Sequence, residues 1–164
     1  MGIEQKVMDK TDLIQLILEQ LTSDLAVQYN AAITAHEAST HEENIPDNKY
    51  ETLALEASYV AQGQANRARE IKLALESYKQ LTFLSFDDGS PIRLTALVTL
   101  TGEDGATRTV FIGPQEGGMK VADRLTEIVV ITPASPLGKN LIGKTVGDVV
   151  TLGGGKKLEI VGVC

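Results

Sequence analysis

The sequence predicts an α+β protein in which a hairpin of two long helices precedes a small strand-rich domain. Three observations lead to this class. Gly and Pro are rare up to residue 81 (two Gly, one Pro) and frequent afterwards (thirteen Gly, four Pro). Apolar residues recur at helical spacing in the first part, and short segments rich in Val, Ile and Thr fill the second. We therefore expect one domain over residues 1–81 and another over 82–164.

Two amphipathic helices account for the first part. Apolar and small residues recur there every three or four positions, which is typical of helices with a narrow packing seam. The seam of the first helix is Leu13, Leu16, Ile17, Leu21, Leu25, Gln28, Ala32, Ala35 and Ala38. The seam of the second is Tyr50, Leu53, Ala57, Val60, Ala61, Gln64, Ala68, Ile71, Leu75 and Tyr78. Thr11 and Asp12 are plausible residues for the start of the first helix.

Pro46 separates the two helices. A proline disfavours helical geometry in the residue before it, so the first helix should end near Ile45. Asp47 can then cap the second helix. Two helices of similar length and a short turn predict an antiparallel hairpin, with arms of about 45 Å at 1.5 Å per residue. A larger bundle closed by another subunit is an open alternative, because a two-helix hairpin buries little surface by itself.

The second part predicts a mostly antiparallel sheet. Its strand-like segments are too short and too closely spaced for the crossovers of a parallel sheet. The predicted strands are 92–100, 107–112, 126–132, 149–152 and 157–163. Glycine-containing turns at 102–105 and 153–155 should join the first two and the last two strands. A short helix is expected over 136–142, with Ser135 as its N-cap and Gly143 as its stop.

Composition and charge exclude several functions. The chain has 15 Lys and Arg against 22 Asp and Glu, a net charge of −7, which argues against general affinity for a nucleic acid backbone. A single cysteine, Cys164, rules out an intramolecular disulfide, and one Cys with two His is too few for a standard zinc site. No apolar signal core or membrane-spanning run is seen, so we expect a cytoplasmic protein.

Independent catalysis is also disfavoured by the sequence. The two histidines, His36 and His41, both lie near the end of the first predicted helix. The chain lacks the Gly-x-Ser-x-Gly elbow of many hydrolases, and Cys164 has no histidine near it in sequence. We therefore do not expect a hydrolase or transferase that works alone.

Acidic residues cluster in the turn between the two helices. The segment His-Glu-Glu-Asn-Ile-Pro-Asp-Asn-Lys-Tyr, residues 41–50, places Glu42, Glu43 and Asp47 around a proline. Magnesium in proteins is commonly held by one or two carboxylates and several waters, so such a turn could contribute ligands to a metal that a partner also holds. On composition alone a solvated acidic bend is the stronger interpretation, because acidic residues are common at helix ends and turns, and both alternatives stay open at this point.

A motif in the second part points to a family. The run Ser-Pro-Leu-Gly-Lys-Asn-Leu-Ile-Gly-Lys, followed by Val-Gly-Asp-Val-Val, spans residues 135–150. It closely resembles the C-terminal motif of the GreA/GreB transcription elongation factors. The predicted order of a helical hairpin and a β-rich domain also agrees with that family. The resemblance implies a coiled-coil hairpin with an acidic tip near 42–47, and an FKBP-like antiparallel β domain over 82–164.

The resemblance also implies a function. Gre factors bind bacterial RNA polymerase, insert the hairpin into its secondary channel and bring two tip acids close to the RNA 3′ end. Those acids help to hold a Mg²⁺ shared with the polymerase, which then cleaves backtracked RNA itself, so the factor is not a complete enzyme. By this resemblance Glu43 and Asp47 are the catalytic and metal-binding pair, with Glu42 in reserve. Ser135, Pro136 and Leu137 are then the polymerase-binding residues.

The tip departs from the family pattern, which reads Asp-Leu-Lys-Glu-Asn-Ala-Glu-Tyr. This chain reads Glu-Asn-Ile-Pro-Asp-Asn-Lys-Tyr over residues 43–50. Aligned on Tyr50, Glu43 takes the place of the first acid, Pro46 takes the place of the second, and Asp47 follows one residue later. The altered tip leaves a second functional hypothesis open: a Gre-like protein that occupies the channel and modulates or inhibits the polymerase without stimulating cleavage.

Overall fold

The helices and strands follow the predicted order. The structure is a computed structural model that describes residues 8–42, 48–122 and 126–164, with side chains over 8–38, 58–122 and 126–164. Its elements are α1 (Lys10–Glu42), α2 (Asn48–Lys79), β1 (Leu97–Gly102), β2 (Thr107–Ile112), β3 (Lys120–Ala122), β4 (Glu127–Ile131), α3 (Pro136–Leu141), β5 (Val149–Thr151) and β6 (Lys157–Val163). The predicted α+β class, with a helical hairpin followed by a sheet domain, is confirmed.

The chain forms two compact units. The hairpin unit is Leu18–Glu76, and the sheet unit joins Met1–Ile17 to Ser77–Cys164. The sheet unit thus includes the first turns of α1 and the last residues of α2. The division into domains at residues 81 and 82 stays a prediction from composition.

Helix α1 begins slightly earlier than the sequence predicted. The Asp9 carboxylate accepts a hydrogen bond from the backbone N–H of Thr11 at 3.0 Å, and the Asp9 carbonyl accepts one from Leu13 at 2.9 Å. Asp9 therefore acts as the N-cap, and the helix starts at Lys10. The expected capping of α2 by Asp47 lies outside the described residues.

The seam of the hairpin is buried at one end and open toward the turn. In the hairpin unit Leu21 and Ile71 are buried at 0% and 1% exposure, whereas Gln28 and Gln64 are only half-buried. Val60, predicted in the seam, is 53% exposed, so that assignment is wrong. Alanine and glutamine occupy most seam positions toward the turn, and these side chains are too small or too polar to form a closed apolar interior.

The sheet is mostly antiparallel, as predicted, but it contains one parallel pair of strands that the sequence did not indicate. Its strand order is β3-β4-β2-β1-β6-β5, and β2 pairs with β4 in parallel while the other paired strands in the described chain are antiparallel. The sequence interpretation missed β3, whose three residues pair with β4 on its outer side. Residues 113–126 carry the chain through β3 before β4 starts, and this length suffices for a crossover between parallel strands.

Strand β1 is shorter than predicted at its beginning. Thr95 has a φ of 76°, a left-handed conformation that is rare for a β-branched residue, and it ends the extended segment that was expected from residue 92. Its N–H donates to the carbonyl of Ile112 at 2.8 Å, and the N–H of Ile112 donates to Ala96 at 2.9 Å. The predicted strands 107–112 and 157–163 are confirmed at both ends, and β4 and β5 match to within one residue.

The central strands of the sheet bury apolar side chains on both faces, whereas β3, β5 and β6 expose alternate residues. On one face, strand residues such as Val98, Leu100 and Ile112 pack with Leu141 of α3. On the other, Phe111 is 0% exposed. Tyr78, at the end of α2, packs over Gly113, where a Cβ would collide with the tyrosine hydroxyl. Burial on both sides gives this small sheet a continuous apolar interior.

Candidate functional site

The motif that carries the family resemblance folds as the capped start of α3. Ser135 has extended geometry (φ −67°, ψ 156°), and its Oγ accepts a hydrogen bond from the N–H of Gly138 at 3.1 Å. The same hydroxyl donates to the carbonyl of Thr132 at 2.7 Å. Pro136 occupies the first turn, where a missing N–H costs nothing. The predicted cap and helix are confirmed, with the helix ending at Leu141 rather than Ile142.

Gly138 allows the start of α3 to lie directly against the preceding loop. A Cβ built on Gly138 would collide with the backbone carbonyl of Thr132. The sequence predicted the short helix but not this contact, which depends on the path of the loop before it. Thr132 was not singled out at all, since its role comes from its backbone carbonyl, which accepts from both the N–H and the hydroxyl of Ser135.

Ser135, Pro136 and Leu137 have different surroundings although they are adjacent. Pro136 is exposed, whereas Leu137 is half-buried and packs against the core of the sheet unit. The Ser135 hydroxyl is bound to the backbone on both sides, with its proton directed at a carbonyl oxygen rather than at a base, so it is not an activated nucleophile. These hydrogen bonds fix the backbone of the segment, and Pro136 is its solvent-exposed residue.

Backbone hydrogen bonds join the residues after α3 to Ile92, in the segment before β1. Gly143 adopts a φ of 84° and donates its N–H to the carbonyl of Ile92 at 2.8 Å. The N–H of Ile92 donates in turn to the carbonyl of Lys144 at 2.8 Å. Ile142, directly before these two residues, is 38% exposed. Pro136 and Ile142 thus provide exposed apolar groups near the two ends of one rigid short helix.

The acidic tip predicted from the sequence falls mostly outside the described residues. Glu42 is the last residue of α1, and its side chain is not described. Glu43, Pro46 and Asp47 lie outside the described chain, so their roles as metal ligands stay predictions. Among the side chains described over 8–38, 58–122 and 126–164, no three from His, Cys, Asp or Glu come together as a metal-binding group.

The thiol of Cys164 is not an activated nucleophile. Burial raises its pKa, and the nearby charge of Lys10 only partly opposes that shift. Burial also lowers the pKa of Lys10, whose ammonium lies 4.6 Å from the ring centre of Phe86 and donates to the Leu84 carbonyl at 3.1 Å. Reactive cysteines need a lowered pKa, so the Cys164 thiol does not create a catalytic site. The backbone of Cys164 is held by Leu97, since the N–H of each residue donates to the carbonyl of the other at 2.9 Å.

A loop in the sheet unit is tied to the end of α2. The hydroxyl of Tyr78 donates to the carbonyl of Gln115 at 2.7 Å, and the amide of Gln115 donates to Ser77 at 3.1 Å. Burial and the charge of Glu116 raise the pKa of Tyr78, although the hydrogen bond to Gln115 lowers it. The phenol therefore stays protonated in the folded chain well above its ordinary pKa.

None of the helices in the described part is apolar over a length that would cross a membrane.

Comparisons with known proteins return structural similarities only. No protein-family model matches the chain, and no curated protein matches it. The chain is similar to the crystal structure of the GreA factor homolog Gfh1 of Thermus thermophilus, at 25% identity over 90% of this chain and 94% of that chain, with a TM-score of 0.37. It is also similar to a structure of the transcription factor Gfh1 (22% identity, 89% and 92% covered, TM-score 0.38).

A third similar structure is Gfh1 of Thermus aquaticus. It is 23% identical to this chain, 88% of this chain and 92% of that chain are covered, and the TM-score is 0.37. At TM-scores below 0.5 these similarities do not establish the family or the function of the chain.

Proposed function

We propose that this chain is a Gre-like transcription factor that binds bacterial RNA polymerase and inserts its helical hairpin into the secondary channel, where it stimulates cleavage of backtracked RNA. The observation that carries the proposal is the Gre-type motif over residues 135–150. Support comes from the form of that motif in the fold, where Pro136 is exposed on a helix start held by Ser135 and Thr132.

In this proposal the tip supplies ligands and the polymerase supplies the rest of the active centre. Glu43 and Asp47, with Glu42 in reserve, are the proposed ligands, and they lie in sequence at the junction of α1 and α2. Carboxylates at a tip are suited to Mg²⁺, which takes few protein ligands and therefore leaves positions for a second protein. A shared metal activates water and stabilises the leaving oxygen. The chain positions its carboxylates and is not an enzyme by itself, and the cytoplasm is the compartment that this role requires.

The test of cleavage uses a purified, stalled and backtracked elongation complex. Addition of the protein should shorten the RNA and leave a 3′ end that can be extended again. Glu43→Ala and Asp47→Ala should each reduce cleavage to the rate of the polymerase alone while binding is retained. Glu19→Ala removes an exposed acid from α1 far from the turn, and this control should cleave like the wild type. Wild-type protein that binds but gives no cleavage refutes this version of the function.

The test of docking uses an exposed residue so that folding is not affected. Pro136→Glu places a charge on the presented surface at a helix start, where a carboxylate is compatible with the helix dipole. Polymerase binding should weaken, whereas the matched control Thr107→Glu, at an exposed position of β2, should bind like the wild type. Equal binding by both variants would remove Pro136 from the polymerase-binding surface.

The tip sequence favours one second candidate function. Pro46 takes the place of the second family acid, so the hairpin could occupy the channel without completing the metal site. A Gre-like regulator of this kind should compete with an authentic cleavage factor for the polymerase and lower cleavage in the mixture. Competition without intrinsic cleavage would select this candidate over the first.

A further inference from the structure

A surface that lacks acidic residues lies around α3 in the sheet unit. Residues 128–147 contain Lys139 and Lys144 but no Asp or Glu, and residues 89–102 contain Arg93 and likewise no acid. The whole chain carries 22 acids and a net charge of −7, so its charge is reversed locally in these two stretches. We use the name α3 surface for their exposed residues that lie at or beside this helix: Arg93, Pro136, Lys139, Asn140, Ile142 and Lys144.

Backbone hydrogen bonds bring the two stretches together. The carbonyl of Ile92 accepts from the N–H of Gly143 at 2.8 Å, and the N–H of Ile92 donates to the carbonyl of Lys144 at 2.8 Å. Arg93 directly follows Ile92, so Arg93 and Lys144 belong to neighbouring backbone segments although they are distant in sequence. Both side chains are exposed. The positive charges of the α3 surface therefore come from two segments that the fold holds in a fixed arrangement.

The outward face of α3 combines apolar and cationic groups. Lys139 and Asn140 follow Pro136 by three and four positions, so the three residues share one face of the helix, and all are exposed. Ile142, at the end of the helix, adds an apolar side chain that is 38% exposed. The opposite face is turned to the core, where Leu141 is 0% exposed. Because the helix is capped and packed, its outward groups need little ordering when a partner binds.

The cations of the α3 surface keep their charge available to a partner. Within the described ranges, no salt bridge involves any of its three cations. The guanidinium of Arg93 lies 5.8 Å from the ring centre of Phe86, a cation–π contact that leaves its charge in place. The nearest acids in sequence are Asp87, Asp88 and Asp148, and the first and last of these accept hydrogen bonds within their own turns. The α3 surface thus presents positive charge to solvent.

We propose that the α3 surface docks on an acidic segment of RNA polymerase that also carries apolar side chains. Pro136 and Ile142 contact the apolar groups of that segment, and Lys139, Lys144 and Arg93 pair with its carboxylates. The inference rests on the proposed function and adds to it the charge of the polymerase surface that receives this chain. No residue of the hairpin unit takes part, so docking through α3 does not compete with insertion of the hairpin.

Charge complementarity selects an acidic partner and one orientation of the chain. Because the chain as a whole is acidic, an acidic partner repels most of its surface and attracts only the region around α3. A basic partner would be attracted by most of the chain and repelled by Arg93, Lys139 and Lys144. A nucleic acid is disfavoured as the partner, since its backbone is bound by a surplus of Lys and Arg, whereas this surface has three cations among apolar groups.

The first experiment places charges of opposite sign at one neutral position of the α3 surface. Asn140→Lys and Asn140→Glu are compared with the wild type for binding to purified bacterial RNA polymerase core enzyme, followed by fluorescence anisotropy of the labelled protein. An added cation should strengthen binding about threefold and an added anion should weaken it about threefold, as expected for exposed charge pairs. Asn140 is exposed, so both variants should keep the wild-type fold, and urea unfolding checks this.

The second experiment compares two lysines on opposite faces of the sheet. Lys144→Glu reverses a charge of the α3 surface just outside the helix and should weaken binding about fivefold. Lys157→Glu is the matched control. Lys157 alternates along β6 with Leu158 and Ile160, which pack in the core on the α3 side, so its side chain lies on the other face. This variant should bind like the wild type.

Salt dependence gives a third readout, which a change in folding does not mimic. Wild-type binding should weaken as the ionic strength rises from about 0.05 M to about 0.3 M, because salt screens exposed charge pairs. The double variant with Lys139→Gln and Lys144→Gln removes two cations, and its binding should depend less on salt. Equal salt dependence of the two proteins would contradict carboxylates as the partners of these lysines.

The outcomes separate this inference from the proposed function. If the wild type binds and the two Asn140 variants bind alike, or Asn140→Glu binds more tightly, the acidic partner is overturned and the proposed function stands. Wild-type protein that does not bind the polymerase overturns both. Tighter binding to a single-stranded RNA oligonucleotide than to the polymerase would assign the α3 surface to nucleic acid and overturn the inference as well.

Discussion

The sheet unit and the hairpin unit differ in how far their large apolar side chains are exposed to solvent. In the sheet unit, residues on both faces of the sheet are buried, and Leu100 and Phe111 are each 0% exposed. In the hairpin unit, Val27, Tyr59 and Leu73 are each more than half exposed. The central strands bury large side chains on both faces of the sheet, whereas the hairpin unit buries large side chains such as Leu21 and Ile71 at one end of its seam and leaves others exposed along its length. The comparison teaches that the larger apolar interior lies in the sheet unit, whereas the hairpin unit keeps several large apolar side chains in contact with solvent.

The largest expected loss of stability comes from deleting a buried side chain in the sheet unit. Phe111→Ala deletes a fully buried ring and should lower the free energy of unfolding by about 3–5 kcal/mol, since it leaves a cavity in a packed core. Val27→Ala, at a side chain 61% exposed in the hairpin unit, should change it by less than about 0.5 kcal/mol. Urea unfolding followed by circular dichroism measures both. Similar losses for the two would contradict the contrast between the units.

The next effect concerns the close approach between α3 and the loop before it. Gly138→Ala introduces a Cβ at the position of the Thr132 carbonyl, and backbone must move to admit it. We expect a loss of about 1–3 kcal/mol, comparable to overpacking of a core. The measurement is the midpoint of chemical unfolding. Asn140→Ala, at an exposed position of the same helix, is the control and should leave the midpoint unchanged or raise it slightly.

A smaller effect tests the contact of Tyr78. Tyr78→Phe removes the hydroxyl that donates to Gln115 and should cost about 1–2 kcal/mol near neutral pH, because a half-buried carbonyl loses its partner. The measurement is unfolding by urea at pH 7. No loss at this pH would contradict a stabilising hydrogen bond.

The same residue predicts how stability depends on alkaline pH. The pKa of Tyr78 is raised in the folded chain, so above about pH 10 the unfolded phenol loses its proton while the folded one keeps it. The folded state then binds more protons, and stability should fall by about 1.4 kcal/mol per pH unit from this group. Below pH 10 the contribution is fully present. Wild-type protein should show this extra alkaline loss relative to Tyr78→Phe, and parallel profiles would refute it.

The smallest expected effect on stability concerns Gln28 in the hairpin unit. The amide oxygen of Gln28 is buried without a hydrogen-bond partner in the seam. Gln28→Leu replaces that polar group by an apolar one of similar size and should stabilise the hairpin unit by about 1 kcal/mol. Amide hydrogen exchange can detect this gain within α1, separately from the sheet unit. Faster exchange in the variant would show that Gln28 supports the seam.

Sequence patterns predicted the parts of the fold that depend on local signals. Strand alternation and the flanking glycines placed β2 and β6 at their observed bounds, and Ser-Pro placed the start of α3. Strand β3 has only three residues, too few for a period to be read, so the parallel pairing of β4 with β2 was also missed. The left-handed Thr95 was missed because its reason is tertiary: its hydroxyl accepts from the N–H of Leu84 at 3.1 Å.

The sequence predicted more about the motif that begins at Ser135 than about the acidic turn at Glu43 and Asp47. For Ser135 the capping role followed from residue types alone and is confirmed, since a cap acts within four residues. The contact of Gly138 with the Thr132 carbonyl was not predictable, because it depends on the path of the loop. The carboxylates Glu43 and Asp47 were identified through the family resemblance, and their position lies outside the described chain.

The packing of Tyr78 gives the protein an intrinsic near-ultraviolet circular dichroism signal. The chain has no Trp and four Tyr. Tyr78 is 1% exposed and held in one orientation by its bond to Gln115, whereas Tyr29 and Tyr59 are exposed. A ring fixed in an asymmetric interior gives a near-ultraviolet dichroic band, and rings free to rotate in solvent give little signal. Loss of that band therefore reports the melting of the sheet unit without any label, while the far-ultraviolet signal still includes the two long helices.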